Sequence, residues 1–335
     1  MRKGSKIIRN ILVILLVLIL SIFGMYFQNH DEKRKELEGL WKERRVSKIR
    51  NLGSVKTLSI LPLVNWHTSR TGLRGETGVS YLIVTDHKHI LFDVAHNAKE
   101  ESPSPLVHNM KELGISVERV DAIFLSHLHF DHVGGKKWEK NKTFSLDKEQ
   151  IDLSGKDVFA PVEIRYPKIH PKILSESTIL YPGIANLGPI PRQLFMGKIE
   201  EQALAIHIRG KGIVLISGCG HQTLPKILEE VEKVFEEKIY GIVGDLHYPV
   251  PDGRLQFLGL NLQRIFASGT DPFHTIQEKE VIEDIRLLKN KNISLIGIGG
   301  HDSSDEVIRK FETEFGKSYR RVRVGDWIHV AEGDR

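Results

Sequence analysis

The sequence predicts an α/β protein with an N-terminal transmembrane helix, and two patterns in the chain lead to this fold class. From residue 55 onward, short runs rich in Val, Ile and Leu alternate with amphipathic segments of helical period. Residues 11–27 form an unbroken, uncharged run dominated by Ile, Leu and Val. The 335 residues are 40% hydrophobic and 27% charged, a globular composition able to form a large core. We therefore predict a membrane anchor over 1–28, a charged stalk helix or linker over 29–54, and a globular domain over 55–335.

The N-terminal run is predicted to be an uncleaved single-pass anchor. Four Lys or Arg residues precede it, and its length is at the short end of what crosses a bilayer as a helix. The residues that follow, Gln-Asn-His-Asp-Glu, contain no small-x-small cleavage site, which favours an anchor over a cleaved signal peptide. We therefore expect a membrane protein that contacts lipid through this helix. Residues 28–45 contain six further Lys or Arg, so the positive-inside rule does not decide the side, and we favour an extracytoplasmic domain.

The segment after the anchor, residues 31–50, is dense in Lys, Arg and Glu. Leu37, Leu40 and Trp41 stand at helical spacing within it. A stalk helix lying on anionic headgroups and a solvated linker helix both fit this pattern.

The elements of the globular domain follow one another in two strand–helix series of similar length, which predicts one domain built from two halves. Residues 136–200 are rich in Pro, Gly and polar residues, and we expect long loops around a site there. The last two predicted strands should pair with each other across Gly325 and Asp326. In order, we predict strands over 57–64, 80–85, 89–92 and 120–126, a helix over 105–113, a strand over 211–217, a helix over 225–237, a strand over 240–243, a helix over 278–289, a strand over 293–298, a helix over 306–315, and strands over 321–324 and 327–330.

Charge and cysteine content exclude several classes of function. The formal net charge is +5, from 48 basic and 43 acidic residues, and no Arg/Lys run is interleaved with aromatic residues. Nucleic acid is therefore not an expected partner. The single cysteine, Cys219, excludes an internal disulfide and a cysteine-rich zinc module.

Residues 127–132 read His-Leu-His-Phe-Asp-His and are the most informative segment of the chain. They follow the predicted strand 120–126, whose period-two geometry would project the first two histidines to the same side. The aspartate and the third histidine then lie on a turn that opens at Gly134. Four polar groups beside an apolar strand are costly to bury unless they bind something. The segment therefore predicts a metal site that can supply two ligands to each of two ions.

Other predicted strands end in residues that can bind metal. Asp93 follows the strand 89–92. The other candidates have glycines beside them, which let the backbone approach an ion closely. The remaining strand-end candidates are Cys219 and His221, Asp245 and His247, and His301 and Asp302.

On these residues the chain resembles the metallo-β-lactamase superfamily, whose His-x-His-x-Asp-His signature stands at 127–132. The similarity covers about residues 55–335 and is nearest to the dihydropteridine–ribofuranosylaminobenzene phosphate synthase-like subgroup. The subgroup motifs lie at 75–80, 91–93, 188–192, 200–204 and 217–221. The resemblance implies a four-layer αββα sandwich, in which two sheets face each other between outer helices and a dinuclear metal site lies at one edge.

The resemblance also implies a set of ligands. Asp93 would orient ligands without binding metal itself. The first ion would be bound by His127, His129 and His221, and the second by Asp131, His132 and His301.

The residue that bridges both ions in relatives is normally an aspartate, and here the chain departs from the pattern. Cys219 stands where relatives carry that aspartate, and Asp245 on the next strand is another candidate. We favour Asp245 as the bridge, because carboxylates bridge hard ions better than a lone thiol. Cys219 would then be a buried apolar residue or a further ligand. His247 would be a substrate contact or an extra ligand.

The expected activity is that of a metal-dependent hydrolase. Two divalent transition-metal ions, zinc in the first place and iron or manganese as alternatives, would hold a bridging hydroxide that Asp131 orients or deprotonates. Arg192, on a proline-stiffened loop, suits capture of an anionic group, so we expect a small-molecule phosphodiester or related ester as substrate; a structural ion pair is the alternative role. A condensing synthase of the subgroup's type and a non-catalytic metal-binding module remain alternative functions.

Overall fold

The computed structural model of the protein describes residues 2–333. Met1, which begins the predicted anchor, and the last two residues of the predicted domain lie outside the described residues. The chain forms two compact units, Met1–Arg44 and Arg45–Arg335.

The first unit is a single α-helix, α1 (Arg2–Glu43), which runs without a break through the apolar stretch and into the charged segment. Its apolar side chains are exposed; Leu12, for example, is 61% exposed. The helix is long and apolar enough to cross a membrane, although a signal sequence has the same length and composition. The predicted N-terminal helix is therefore present as a long apolar helix.

The second unit contains the remaining elements. Its helices are α2 (Pro105–Glu112), α3 (Lys136–Lys140), α4 (Leu224–Val234), α5 (Glu278–Asn290) and α6 (Asp305–Phe315). Its strands are β1 (Thr57–Val64), β2 (Ser80–Thr85), β3 (His89–Phe92), β4 (Ala122–Phe124), β5 (Asp157–Ala160), β6 (Lys172–Ile173), β7 (Thr178–Tyr181), β8 (Ile184–Asn186), β9 (Ile190–Leu194), β10 (Gly197–Glu201), β11 (Leu204–Ile208), β12 (Gly212–Ser217), β13 (Ile239–Gly244), β14 (Gln256–Phe257), β15 (Leu260–Asn261), β16 (Leu295–Ile298) and β17 (Ile328–Ala331).

Two mixed sheets form the centre of this unit. The first is seven-stranded, with the order β17-β1-β2-β3-β4-β5-β6, and its strands from β3 to β6 are parallel. The second is six-stranded, with the order β16-β13-β12-β11-β8-β7, and β12, β13 and β16 are parallel. Strands β9 and β10 pair as a separate hairpin, as do β14 and β15. Parallel strands end at the same edge of a sheet, so each sheet has one edge where several chain segments converge.

The alternation of side chains along the strands explains the layers. Leu58 and Ile60 of β1 belong to the core between the two sheets, together with Ile216 of β12. Leu63 lies on the opposite face of β1, in a second cluster with Leu106 of α2. Helices α4, α5 and α6 each bury an apolar face in the second half of the unit. The two sheets therefore face each other between outer helices, which confirms the predicted αββα sandwich.

The structure departs from the predicted element order in two places. Residues 136–200 contain long loops, but α3, the strands from β5 to β9 and most of β10 also lie within them. These strands are short, and β6, β7 and β10 are partly or fully exposed, so the segment lacks the long apolar runs that identify a buried strand. The segment 321–324 is not a paired strand, and β17 instead pairs antiparallel with β1. Val324 makes only an isolated bridge to Thr68.

Candidate metal centre

The site is built at the edges where the parallel strands of both sheets end. His127 follows β4 in the first sheet, Cys219 follows β12, and His301 follows β16 in the second. The turn after β12 passes close to the first sheet: a Cβ at Gly218 would lie 2.3 Å from the Ser126 hydroxyl. Only glycine therefore fits this position, and the resulting close approach brings residues of the two halves together.

One group of imidazoles consists of His127, His129 and His221. The Nε2 atom of His127 lies 3.2 Å from Nδ1 of His129. The His221 ring centroid lies 5.3 Å from that of His127 and 5.0 Å from that of His129. Nε2 of His221 is buried without a hydrogen-bond partner among the described residues, as is Nε2 of His247. Buried polar atoms normally have a partner, and a metal ion bound by these histidines would satisfy both nitrogens.

A second group contains Asp131, His132 and His301. Nε2 of His301 lies 3.4 Å from a carboxylate oxygen of Asp131 and 3.6 Å from the Cys219 sulfur. Nε2 of His132 lies 3.0 Å from the same sulfur. The two groups are therefore adjacent, with the thiol of Cys219 between them.

Cys219 is common to three sets of potential ligands whose donor atoms lie within 4.8 Å of one another. The sets are His127, Cys219 and His221; His132, Cys219 and His301; and Cys219, His247 and Asp302.

Asp245, which we favoured as the bridge, occupies a different position. Its carboxylate accepts hydrogen bonds from the Tyr81 hydroxyl and the Asn65 amide, both at 3.0 Å. It also accepts the backbone N–H of His301, at 3.1 Å. These contacts place Asp245 behind His301, where it supports the loop, whereas Cys219 has the central position.

Buried carboxylates hold the histidine rings from outside. Asp93 accepts hydrogen bonds from the Ser126 N–H and hydroxyl, at 2.7 and 2.6 Å, and lies 2.7 Å from Nδ1 of His132. Asp302 lies 2.8 Å from Nδ1 of His247. Because Nδ1 is engaged in each case, Nε2 of the ring is the atom left to face the centre.

Glu201 is a site residue that the predicted ligand set omits. Its carboxylate accepts the backbone N–H groups of Cys219 and Gly220, both at 2.9 Å, and of His221, at 2.8 Å. It is completely buried at the end of β10. Glu201 belongs to the motif at 200–204, but the pairing of one carboxylate with three consecutive N–H groups depends on tertiary structure.

Burial determines the protonation of the centre. It lowers the pKa of His129 to about 4 and of His301 to about 3, and it lowers the pKa of His127 well below the usual range. Burial raises the pKa of the Asp131 carboxyl to about 7. The imidazoles are therefore neutral at pH 7 and offer lone pairs. An aspartate with this pKa can exchange a proton near neutral pH.

Arg192 lies at the rim of the centre rather than within it. Its guanidinium donates hydrogen bonds to the backbone carbonyls of His221 and Ser268. It also lines a cavity of about 300 Å³ that is shared with His247 and Asp284. The structure thus uses Arg192 to hold the loop of His221, while its charge remains at the cavity wall.

Of the residues predicted for the site, most are brought together by the fold. The residues that surround a common centre are His127, His129, Asp131, His132, Cys219, His221, His247 and His301. Asp93 and Asp245 lie behind them, and Arg192 lies beside them.

Comparisons with known proteins agree with this geometry. The model of the metallo-beta-lactamase superfamily matches residues 73–144, which include the histidine-rich signature. The 7,8-dihydropterin-6-methyl-4-(beta-D-ribofuranosyl)-aminobenzene-5'-phosphate synthase of Methanocaldococcus jannaschii is 23% identical over 336 residues, which covers 83% of this chain and 98% of that protein.

Two solved structures share the fold. One is Tm1679, a metal-dependent hydrolase of the beta-lactamase superfamily, with a TM-score of 0.57 and 18% identity over 82% of this chain and 100% of that one. The other is the metallo-beta-lactamase fold protein YhfI from Bacillus subtilis, with a TM-score of 0.52 and 13% identity over the same shares, 82% and 100%. The chain is therefore similar to the metallo-β-lactamase superfamily in its histidine-rich signature and in its αββα sandwich.

Proposed function

We propose that the protein is a metal-dependent hydrolase with a dinuclear centre. The observation that carries this proposal is the convergence of seven potential ligands from both halves of the domain around the buried thiol of Cys219. A module that binds no metal would leave several of these buried polar groups unpaired, and each unpaired group costs free energy.

The donor set is suited to transition-metal ions. Neutral imidazoles, one thiol and one carboxylate are borderline-soft ligands, which favour zinc and also accept iron. Manganese prefers a site richer in oxygen, so we rank it below the other two. The unpartnered Nε2 atoms of His221 and His247 support the same assignment, because metal coordination would satisfy them.

Each ion would have its own face of the centre. His127, His129 and His221 would bind the first, whereas Asp131, His132 and His301 would bind the second. Cys219 would be a ligand common to both faces, since donor atoms of His127 and His221 in the first group and of His132 and His301 in the second lie within 4.8 Å of its sulfur. When bound, such ions supply an activated water and stabilise the negative charge that develops on the substrate.

The chain's own residues would control orientation and proton transfer. Asp131 would orient the attacking water or accept its proton through a carboxylate oxygen. Asp93 fixes the ring of His132 through Nδ1, and Asp302 does the same for His247. Glu201 holds the turn that carries Cys219 and His221.

For the substrate, we propose a small-molecule ester and rank a phosphodiester first. The cavity of about 300 Å³ beside His247 is large enough for a small molecule, and the Arg192 guanidinium forms part of its wall. The positive charge of Arg192 would favour an anionic group near the centre. Its hydrogen bonds to two backbone carbonyls mean that Arg192→Ala would also loosen the His221 loop, so the variant should lower kcat as well as raise KM.

A condensing synthase is the second candidate function. The observation that favours it is the similarity to the Methanocaldococcus jannaschii synthase, which extends over 98% of that protein. The two candidates are distinguished by their products: hydrolysis consumes water and splits one substrate, whereas condensation joins two.

Metal content tests the dinuclear centre directly. The full chain is purified in detergent after growth with zinc, iron and manganese, and its metals are measured by elemental analysis. We expect about two ions per chain, a loss of at least one ion in His127→Ala, and no loss in His170→Ala, a change at an exposed histidine outside the centre. A wild-type content below one ion per chain would contradict the proposal. A screen of phosphodiesters, lactones and β-lactams then tests the substrate.

We also propose that α1 anchors the protein in a membrane as a single-pass helix, followed by a charged linker up to residue 54. The exposure of its apolar side chains supports this, since no part of the most apolar stretch of the helix is buried in the described structure. The same proposal places the catalytic domain, residues 55–335, on the extracytoplasmic side.

A further inference from the structure

The exposed apolar side chains of the described domain are concentrated in one segment. Leu255, Phe257, Leu258, Leu260, Phe266 and Phe273 are all large hydrophobic residues at least 42% exposed. The other large exposed hydrophobic residues between 45 and 333 are scattered: Trp66, Ile173, Ile179, Met196 and Trp327. Exposed apolar side chains concentrated in this way indicate a surface that contacts another apolar phase. We call residues 255–273 the apolar segment.

The tip of the apolar segment is a two-residue hairpin with an unfavourable residue. Strands β14 and β15 are joined by Leu258 and Gly259, whose φ angles are +50° and +77°. Positive φ at both positions favours Asn-Gly or Asp-Gly, and a branched apolar side chain is disfavoured at the first. Leu258 is nevertheless 86% exposed, so it buries little surface that would compensate for this conformation. Its presence is explained if the side chain is buried in a complex.

The apolar segment is connected to the loops of the metal centre at two points. Arg254, just before it, donates hydrogen bonds to the backbone carbonyls of Gly300 and Ser303, both at 2.8 Å, beside the loop of His301. Within the segment, the carbonyl of Ala267 lies 3.2 Å from Nδ1 of His221. The apolar segment therefore lies beside the loops that carry His301 and His221.

The composition of the apolar segment favours a lipid bilayer over a protein as the partner of this surface. No charged residue occurs from 255 to 263, so the hairpin could enter the interfacial region without burying a charge. The same chain also carries α1, a helix apolar enough to cross a membrane, so a bilayer is an apolar phase that this protein can reach. A projecting hairpin tip suits insertion among lipids, whereas a protein partner would need a matching groove.

We propose that the apolar segment docks on the surface of a lipid bilayer with the side chain of Leu258 inserted, so that the metal centre, whose His221 and His301 loops contact this segment, lies near the lipid–water interface. This surface is a second membrane contact in addition to α1. The docking does not depend on the proposed hydrolase activity, since it rests on the exposed apolar side chains and on α1. It predicts that molecules partitioning into the interface reach the centre most readily.

Tryptophan fluorescence in lipid vesicles tests the docking. The full chain with Leu258→Trp is reconstituted into phosphatidylcholine vesicles, with or without bromine on the acyl chains, and wild-type emission is subtracted. Leu258 contributes no core packing, so the variant should fold normally. The control is Ile173→Trp, at an exposed residue of β6 outside the apolar segment.

We expect brominated lipid to quench the added emission of Leu258→Trp and to leave that of Ile173→Trp unchanged. Equal quenching of both variants would overturn the proposal, because it would show only general proximity to the vesicle. Absence of quenching in both would overturn it too. So would emission from Leu258→Trp that changes with protein concentration in detergent but not with brominated lipid, since the hairpin would then bind a second copy of the chain.

Discussion

Replacing Glu201 by glutamine tests how the turn with Cys219 and His221 is held. In Glu201→Gln, one oxygen can still accept the two N–H groups that Oε1 accepts, from Cys219 and Gly220. The amide nitrogen would then face the N–H of His221, so one charge-assisted hydrogen bond is replaced by two opposed donors. Such a bond contributes about 1.5–3 kcal/mol. Burial raises the pKa of Glu201 to about 7, so removing the charge also relieves a desolvation cost.

The net loss in the free energy of unfolding should therefore be about 1–2 kcal/mol, below the value of the hydrogen bond alone. Displacement of the turn should weaken metal binding by about 10- to 100-fold, as for other residues that orient ligands. The assay is titration of the metal-free full chain in detergent with cobalt, followed by the thiolate-to-cobalt absorption, together with chemical denaturation. Glu200→Gln is the control, because Glu200 is a half-exposed neighbour on β10 that pairs with Lys198. Equal cobalt affinity in the two variants would refute the assigned role of Glu201.

Three further outcomes are expected. A Cβ at Gly78, where φ is +97°, would lie 2.2 Å from the carbonyl of Asp131, so Gly78→Ala should cost at least about 2 kcal/mol in chemical denaturation. Gly72→Ala, at φ +90° in open space, is its control for backbone strain alone. Asp93→Asn should lower metal affinity by about 10- to 100-fold in the cobalt titration, and unchanged affinity would contradict its orienting role. Deletion of residues 1–28 should release the protein from membranes on fractionation, whereas a mature chain beginning near residue 28 would reveal a cleaved signal.

Local pattern predicted the strands with buried, alternating side chains well. The bounds of β1, β2 and β3 agree with the sequence prediction, because each strand has a continuous apolar face and ends at a polar turn. The pairing of β17 could not be predicted in the same way. Residues 321–324 and 327–330 have similar alternation, and the choice of β1 as the partner of β17 depends on contacts nearly the whole domain apart in sequence.

The sequence also predicts where the candidate site lies, but it does not predict that Cys219 lies at its centre. The spacing of the signature places its histidines near one point, since strand geometry fixes where consecutive side chains project. The position of Asp245 depends on residues that are far from it in sequence. Its carboxylate accepts hydrogen bonds from Tyr81 and Asn65. The sequence prediction rests on the preference of hard ions for a bridging carboxylate, and this preference does not reveal these hydrogen bonds.

The arrangement of ligands on two different sheets has a mechanical consequence. His127 belongs to the half built on the first sheet, whereas His221 and His301 belong to the half built on the second. An ion held by residues from both halves would act as a cross-link between them. Its binding free energy would add to the free energy of unfolding of the domain. At a free concentration 100 times the dissociation constant, this linkage amounts to about 2.7 kcal/mol per site. Metal supply would then also regulate the lifetime of the folded protein.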